Sequence, residues 1–312
     1  MNLKVTRSGI VAAWLLVLLG AAPVFAQINF VGEWTGRYHE DQPDRVPGEE
    51  PGDFSGVPLN EAARLFGDSW DVARHSVLEH QCAPYTLPYM FFGPNQFRIW
   101  QEHNQDTQEL VAIRMHLGTY QQERTIWMDG RPHPGPNAAH TWMGFSTGRY
   151  DGDMLIVETT HLKKGWVRRN GVPMSDQAKM TEYMVRNGEV MTHIVVLVDP
   201  VYLTEPLVKS QDFVRSTREL PAGTWLWVCD PVLEIADRPE GDVPAYLPDE
   251  HPFKEEYARR HQIPFVGIYG GAQTMYPEFQ DVLKKAPIPP PLPPPQTGAQ
   301  RVTGAPQGQQ GR

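Results

Sequence analysis

The sequence predicts a mainly β protein: an antiparallel up-and-down, lipocalin-like barrel, or a strongly bent sheet with a short helical segment packed on it. Three observations predict it. From Phe97 onward, apolar and polar residues alternate for about 120 residues, the period of half-buried strands. The links between these runs are short, which favours antiparallel neighbours over parallel crossovers. Thirty prolines and 27 glycines among 312 residues interrupt the chain too often for long helices. A composition that is 40% hydrophobic and 21% charged supplies a packed core and excludes global disorder.

Residues 1–26 carry Lys4 and Arg7, an apolar run from about Ile10 to Ala22, and the small-residue step Val24-Phe25-Ala26. This is the pattern of a secretory signal, too short in its apolar part for the ~20 residues of a membrane span. A periplasmic or secreted product without a membrane span is expected, with one β-rich domain over 27–285. Gly32 to Tyr38 reads as a first strand, and a Pro, Gly and acid-rich loop follows from Glu40 to Val57. A helical insert is expected over about 58–80: Asn60 can cap it, and Ala62, Phe66, Trp70, Ala73 and Val77 recur as one core-facing stripe. Gly67 weakens this helix.

The strand candidates are then Phe97–Glu102, Leu110–His116, Arg124–Met128, Thr141–Arg149, Met154–Thr160, Ala178–Arg186, Glu189–Val198, Leu207–Thr217 and Thr224–Cys229. With the first strand there are about ten, and closing such a sheet removes its exposed edges. Residues 231–281 read as a wrapping segment with one short amphipathic helix around Phe253 to His261. From Ala286 to Arg312 the chain is a polyproline spacer with a polar, disordered end.

Charge narrows the partners. With 28 Lys and Arg against 37 Asp and Glu the net charge is −9, and a leader-free chain, with 26 against 37, carries −11. Phosphate backbones are poor partners for such a surface, so no nucleic acid is expected. Cys82 and Cys229 enter an oxidising space, where a disulfide between them is allowed; in the chain-entropy model it gains about 4 to 5 kcal/mol. Two separate buried thiols are the alternative. There is no Cys-x-x-Cys, no His-Glu-x-x-His and no glycine-rich phosphate loop, so no metal or cofactor is expected.

Two hairpin signals fix faces. Asn187-Gly188 predicts a type I′ turn that pairs Arg186 with Glu189 and sets Met184 opposite Met191 and Glu182 opposite His193. Glu182, Met184, Met191, His193 and Val195 then share one face. A carboxylate across from an imidazole among methionines suits general acid/base work, with burial raising the Glu pKa; a solvated cross-strand ion pair is the alternative. Asp151-Gly152 predicts a second hairpin, in which Phe145 faces Glu158 and Trp142 faces His161. There Gly144, Ser146 and Gly148 share a face with Leu155 and Val157, leaving room for a neighbouring side chain or a ligand. Asp129, Arg131 and His140 flank a loop that returns at Trp142; Arg131 is a fixed charged fork suited to a carboxylate or phosphate, or to an internal ion pair with Asp129.

Gly32-Glu33-Trp34 resembles the Gly-x-Trp signature of lipocalin-like barrels, and that resemblance implies a Trp closing one barrel end against an Arg of a late strand, here Arg215. The runs RTIWMDGRPHP, GFSTGRYDGDMLIVETT, GVPMSDQAKMTEYMVRNGEV and DPVYLTEP, over about residues 124 to 206, resemble a group of secreted bacterial proteins without a settled activity. Asp129, Arg131, Ser146, Asp153, Glu182, Asp199 and Tyr202 match that group's blocks, whereas Phe145 and Met174 stand where the group carries histidines. The resemblance implies common descent more than a reaction.

Together these features point to an exported barrel that binds a small, largely apolar organic molecule, with Arg131, His140, Trp142, Ser146, Met184 and Met191 as candidate contacts. An alternative is a metal-independent isomerase or lyase using Glu182, His193 and Asp129. A third reading is an envelope interaction protein attached through the Pro-rich tail.

Overall fold

The computed structural model describes residues 28–37, 50, 52–69, 84–92, 96–118, 121–168, 170–219, 247, 250 and 253–293. Eleven strands lie in this part: β1 (Gly32–Gly36), β2 (Phe97–His103), β3 (Leu110–Leu117), β4 (Gln122–Trp127), β5 (Phe145–Asp151), β6 (Met154–Thr160), β7 (Gly165–Trp166), β8 (Pro173–Met174), β9 (Lys179–Asn187), β10 (Val190–Val198) and β11 (Leu207–Arg215). Nine of them close into a barrel in the order β1-β11-β10-β9-β6-β5-β4-β3-β2, and β7 pairs with β8 apart from it. The mainly β barrel expected from the alternation is therefore the fold. The expected leader, Cys82, Cys229, the Thr224–Cys229 strand and the helical stretch beyond residue 69 lie outside the described residues.

The sheet departs from a pure antiparallel meander at one seam. β4 and β5 run parallel, through Ile126 opposite Ser146 and Trp127 opposite Thr147. The link over residues 128–144 is long enough for the chain to return in the same direction. All other barrel neighbours are antiparallel.

Both hairpins slide by one residue per strand from the expected register. Asn187 faces Val190 and Asp151 faces Met154, so the two-residue loops are Gly188-Glu189 and Gly152-Asp153. Positive φ occurs at Gly188 (62°) and Gly152 (57°), not at Asn187 or Asp151. Glycine at the first central position is what a type II′ turn takes, so the same Asn-Gly and Asp-Gly pairs serve a different turn. A slip of one on each strand keeps side-chain parity. Met184, Met191 and Val195 face inward with Glu182 and His193, as expected, but Glu182 stands opposite Val195 and His193 opposite Met184. Likewise Ser146 faces Thr159, Gly148 faces Val157 and Phe145 faces Thr160, not Glu158. Trp142 precedes β5 and is not paired with His161.

Helix α1 (Glu61–Asp68) starts where expected, with the Asn60 side chain accepting from the Ala63 amide. Its buried side is one position off the predicted stripe: Ala63 and Gly67 are buried and Ala62 is exposed. Gly67 is required for packing, because a Cβ there would come within 2.8 Å of the Phe54 ring. Helix α2 (Phe253–His261) falls on the predicted residues. The Pro-rich segment begins against the body: Pro289 is buried, and its carbonyl accepts from the Gln262 side chain at 3.2 Å.

Candidate functional site

The barrel interior is largely apolar and carries a belt of polar side chains. Along β4, Arg124 and Ile126 are buried while Thr125 and Trp127 lie on the other face, so strand alternation turns Arg124 inward. Its neighbours in barrel order supply Ser146 from β5, Thr159 from β6, Glu182 from β9 and His193 from β10: five adjacent strands give one residue each. Arg124 and Glu182 are 0% exposed by side chain and His193 is 1%.

The bonds of the belt are specific. The Arg124 fork grips Glu182 bidentately, with Nη1 donating to Oε1 at 2.9 Å and Nη2 donating to Oε2. Nε and Nη2 also donate to Ser146 Oγ (3.2 and 3.0 Å), and Nη2 to Thr159 Oγ1 (2.9 Å). Ser146 and Thr159 join through their hydroxyls at 2.9 Å. On the far side, His193 Nε2 lies 2.9 Å from Glu182 Oε1. A carboxylate with those donors is ionised, so Nε2 carries the ring proton and donates it. The contact is diagonal between the strands, which the observed register allows because the two residues share a face.

Burial by itself would push the Glu182 carboxyl up, as the sequence reading expected. The Arg124 charge and its hydrogen bonds, with a smaller share from His193, overcome this and bring it down to about 2. Glu182 is thus an ionised anchor with filled lone pairs, not a proton donor near neutral pH. The residue the sequence reading missed is Arg124. Its signal was present: it shares parity with Ile126 and Met128 in ERTIWM, a charge in an apolar phase.

Above the belt sits Phe91, carried by a one-turn 3₁₀ segment, Tyr89–Phe92. Its ring meets His193 edge-on at 4.6 Å and lies 5.8 Å from the Arg124 guanidinium carbon. Met184 and Met191 are buried in the same core. The room beside Ser146 and Gly148 is taken by side chains. Arg124 bonds Ser146, and a Cβ at Gly148 would meet Met128 Sδ at 2.6 Å and Ile126 Cγ2 at 2.8 Å.

The remaining candidates form a separate group on the outward side of β4 to β6 and the 128–144 loop. Arg131 Nε bonds Asp129 at 2.9 and 3.0 Å, and its guanidinium lies 3.5 Å over the outward-facing Trp127. The hydrogen bond from Arg131 holds the Asp129 carboxyl below its ordinary range. The internal ion pair is therefore what Arg131 makes. His140 Nδ1 meets the Leu162 carbonyl at 2.8 Å, and the Lys163 ammonium sits 4.6 Å over Trp142. His133, which the sequence reading passed over, spans Thr160 and Thr147 at 2.8 Å each; burial lowers its pKa, opposed by Glu158 and aided by His161. Among the described residues no group of three or more His, Cys, Asp or Glu is placed to hold a metal ion.

At the Gly-x-Trp end, Trp34 is fully buried, and its indole N–H donates to the Phe30 carbonyl at 2.8 Å. The cation over its ring is Arg186, at 5.5 Å. Arg215 pairs with Trp34 across the strands but lays its guanidinium along Gly32. Comparison with family models, with curated proteins and with solved structures finds no match to this chain. Among the described residues no helix is long and apolar enough to cross a membrane.

Proposed function

We propose that the chain is an exported β-barrel that binds a small, largely apolar organic molecule against the Arg124–Glu182–His193 belt. The observation that carries this is the belt itself. Burying a guanidinium and a carboxylate costs several kcal/mol per ion, and a well-packed apolar substitute is often as stable or more so. A binding barrel needs a few fixed polar groups in an apolar interior, and the belt supplies them. Ser146, Met184 and Met191 belong to this region; Asp129, Arg131, His140 and Trp142 stand outside it.

The test is native mass spectrometry of the full chain purified without denaturation. One small molecule per barrel is the expected result, lost from an Arg124→Met/Glu182→Met double variant whose circular dichroism remains that of the parent. A barrel that carries nothing and binds nothing from a small-molecule library sinks the reading.

One observation favours catalysis as a second reading. Glu182 holds Nε2 of His193, as the carboxylate of a hydrolase triad fixes its imidazole, so His193 would be the group that transfers protons. In that case His193→Gln abolishes turnover of the bound molecule while leaving its affinity within a few-fold.

A further inference from the structure

Phe91 is a part of the core that the barrel strands do not build. Its walls come from four strands: Phe97 of β2 at 5.7 Å, Phe213 of β11 at 6.4 Å, His193 of β10 at 4.6 Å and Arg124 of β4 at 5.8 Å. The ring contacts with Phe97, Phe213 and His193 are all edge-to-face, the arrangement aromatic quadrupoles favour. The ring that fills this aromatic slot arrives from outside the sheet, on a segment of one 3₁₀ turn.

Gln211 adds an independent observation. It lies opposite His193 in the β10–β11 register and is 2% exposed. Its amide nitrogen donates to the Phe91 carbonyl at 3.4 Å, which fixes the orientation of the amide and leaves Oε1 without a partner. A buried carbonyl oxygen without a donor is a standing cost that a ligand's N–H or O–H would remove.

We propose that the Phe91 slot is the binding place for a planar aromatic ring bearing a hydroxyl or N–H donor, with Phe91 as its resident stand-in. The inference rests on the binding reading above and specifies its ligand class. On binding, the Phe91 side chain swings out while its carbonyl keeps the Gln211 amide in place, and the ligand's ring takes the edge contacts with Phe97, Phe213 and His193. It lies near the Arg124 guanidinium, and its donor meets Gln211 Oε1. Ionised Glu182 keeps Arg124 and His193 in place throughout.

The test is fluorine NMR on the full chain with 4-fluorophenol and fluorobenzene as probes, using wild type, Phe91→Ala and Phe91→Leu. The leucine variant keeps the experiment readable if alanine fails to fold. Removing the stand-in should tighten 4-fluorophenol by about tenfold or more, and the phenol should lead fluorobenzene by a factor on the order of ten, the worth of one satisfied buried acceptor. Adding Gln211→Leu should bring the two probes to within a few-fold. Equal binding of both probes in the Phe91 variants, or a phenol preference that survives Gln211→Leu, overturns the proposal. An aliphatic molecule co-purifying with the protein overturns it too but leaves the binding reading standing. Folded Phe91 variants that bind neither probe, with nothing co-purifying, sink both.

Discussion

At the scale of single residues, Glu182 decides how the interior is held together. Glu182→Gln preserves shape but leaves the Arg124 charge buried without its counterion, which costs about 3 to 5 kcal/mol. The Arg124→Met/Glu182→Met double variant removes both charges and should lie closer to wild type than Glu182→Gln, because the two groups are in direct contact and their effects do not add. Urea unfolding of the three proteins checks the order; a double variant less stable than the single one would show that packing, not charge, dominates. The pH dependence has a definite sign. The folded carboxyl titrates at about 2, below the ordinary 4.5, so its stabilisation is complete above about pH 4.5 and is lost as pH falls toward about 2. The stability gap between wild type and Glu182→Gln should therefore hold steady from about pH 7 to 5 and shrink below about 4.5. A gap that already closes near neutrality would place the carboxyl higher than the Arg124 fork permits.

At the scale of elements, strand parity was legible in the sequence and turn type was not. Alternation and the Asn187-Gly188 hairpin together placed Glu182, His193, Met184 and Met191 on one face, and a slip of one residue on both strands left that face intact. An Asn-Gly or Asp-Gly pair announces a tight turn, but the glycine can sit at either central position, and only the pairing of the flanking strands chooses. The parallel β4–β5 seam was not legible, because strand direction across residues 128–144 depends on where the loop packs, as with His133 between Thr147 and Thr160. Arg124 was overlooked because a charge in an apolar phase reads as a surface residue until its partners on three other strands are known. The turn assignment itself is testable. A Cβ at Gly152 or Gly188 meets nothing within 4 Å, so alanine there incurs only the cost of positive φ. Gly188→Ala should lose about 1 to 2 kcal/mol, the cost of positive φ for a residue with a Cβ. No loss in thermal unfolding would mean that the turn does not hold Gly188 there.

At the scale of the whole molecule, the barrel has two thin places, and they are secured differently. The parallel seam has two register pairs, Ile126 with Ser146 and Trp127 with Thr147, but Arg124 reaches across it to Ser146, Thr159 and Glu182, so side chains lace what the ladder leaves sparse. The other is β1, five residues long, which closes the ring by pairing with both β11 and β2. Its fastening is Trp34, buried under Arg186 and tied to the Phe30 carbonyl. Trp34→Ala should cost about 3 to 5 kcal/mol, the usual range for a large aromatic deleted from a core. Where the molecule then opens separates closure from general loosening. If Trp34 fastens the ring, hydrogen exchange in the variant accelerates first at the β1, β2 and β11 amides, while the β4–β5 seam keeps its protection through the Arg124 belt. Exchange that rises equally at both seams would mean that the barrel opens as one unit, and that neither Trp34 nor the belt guards a particular edge.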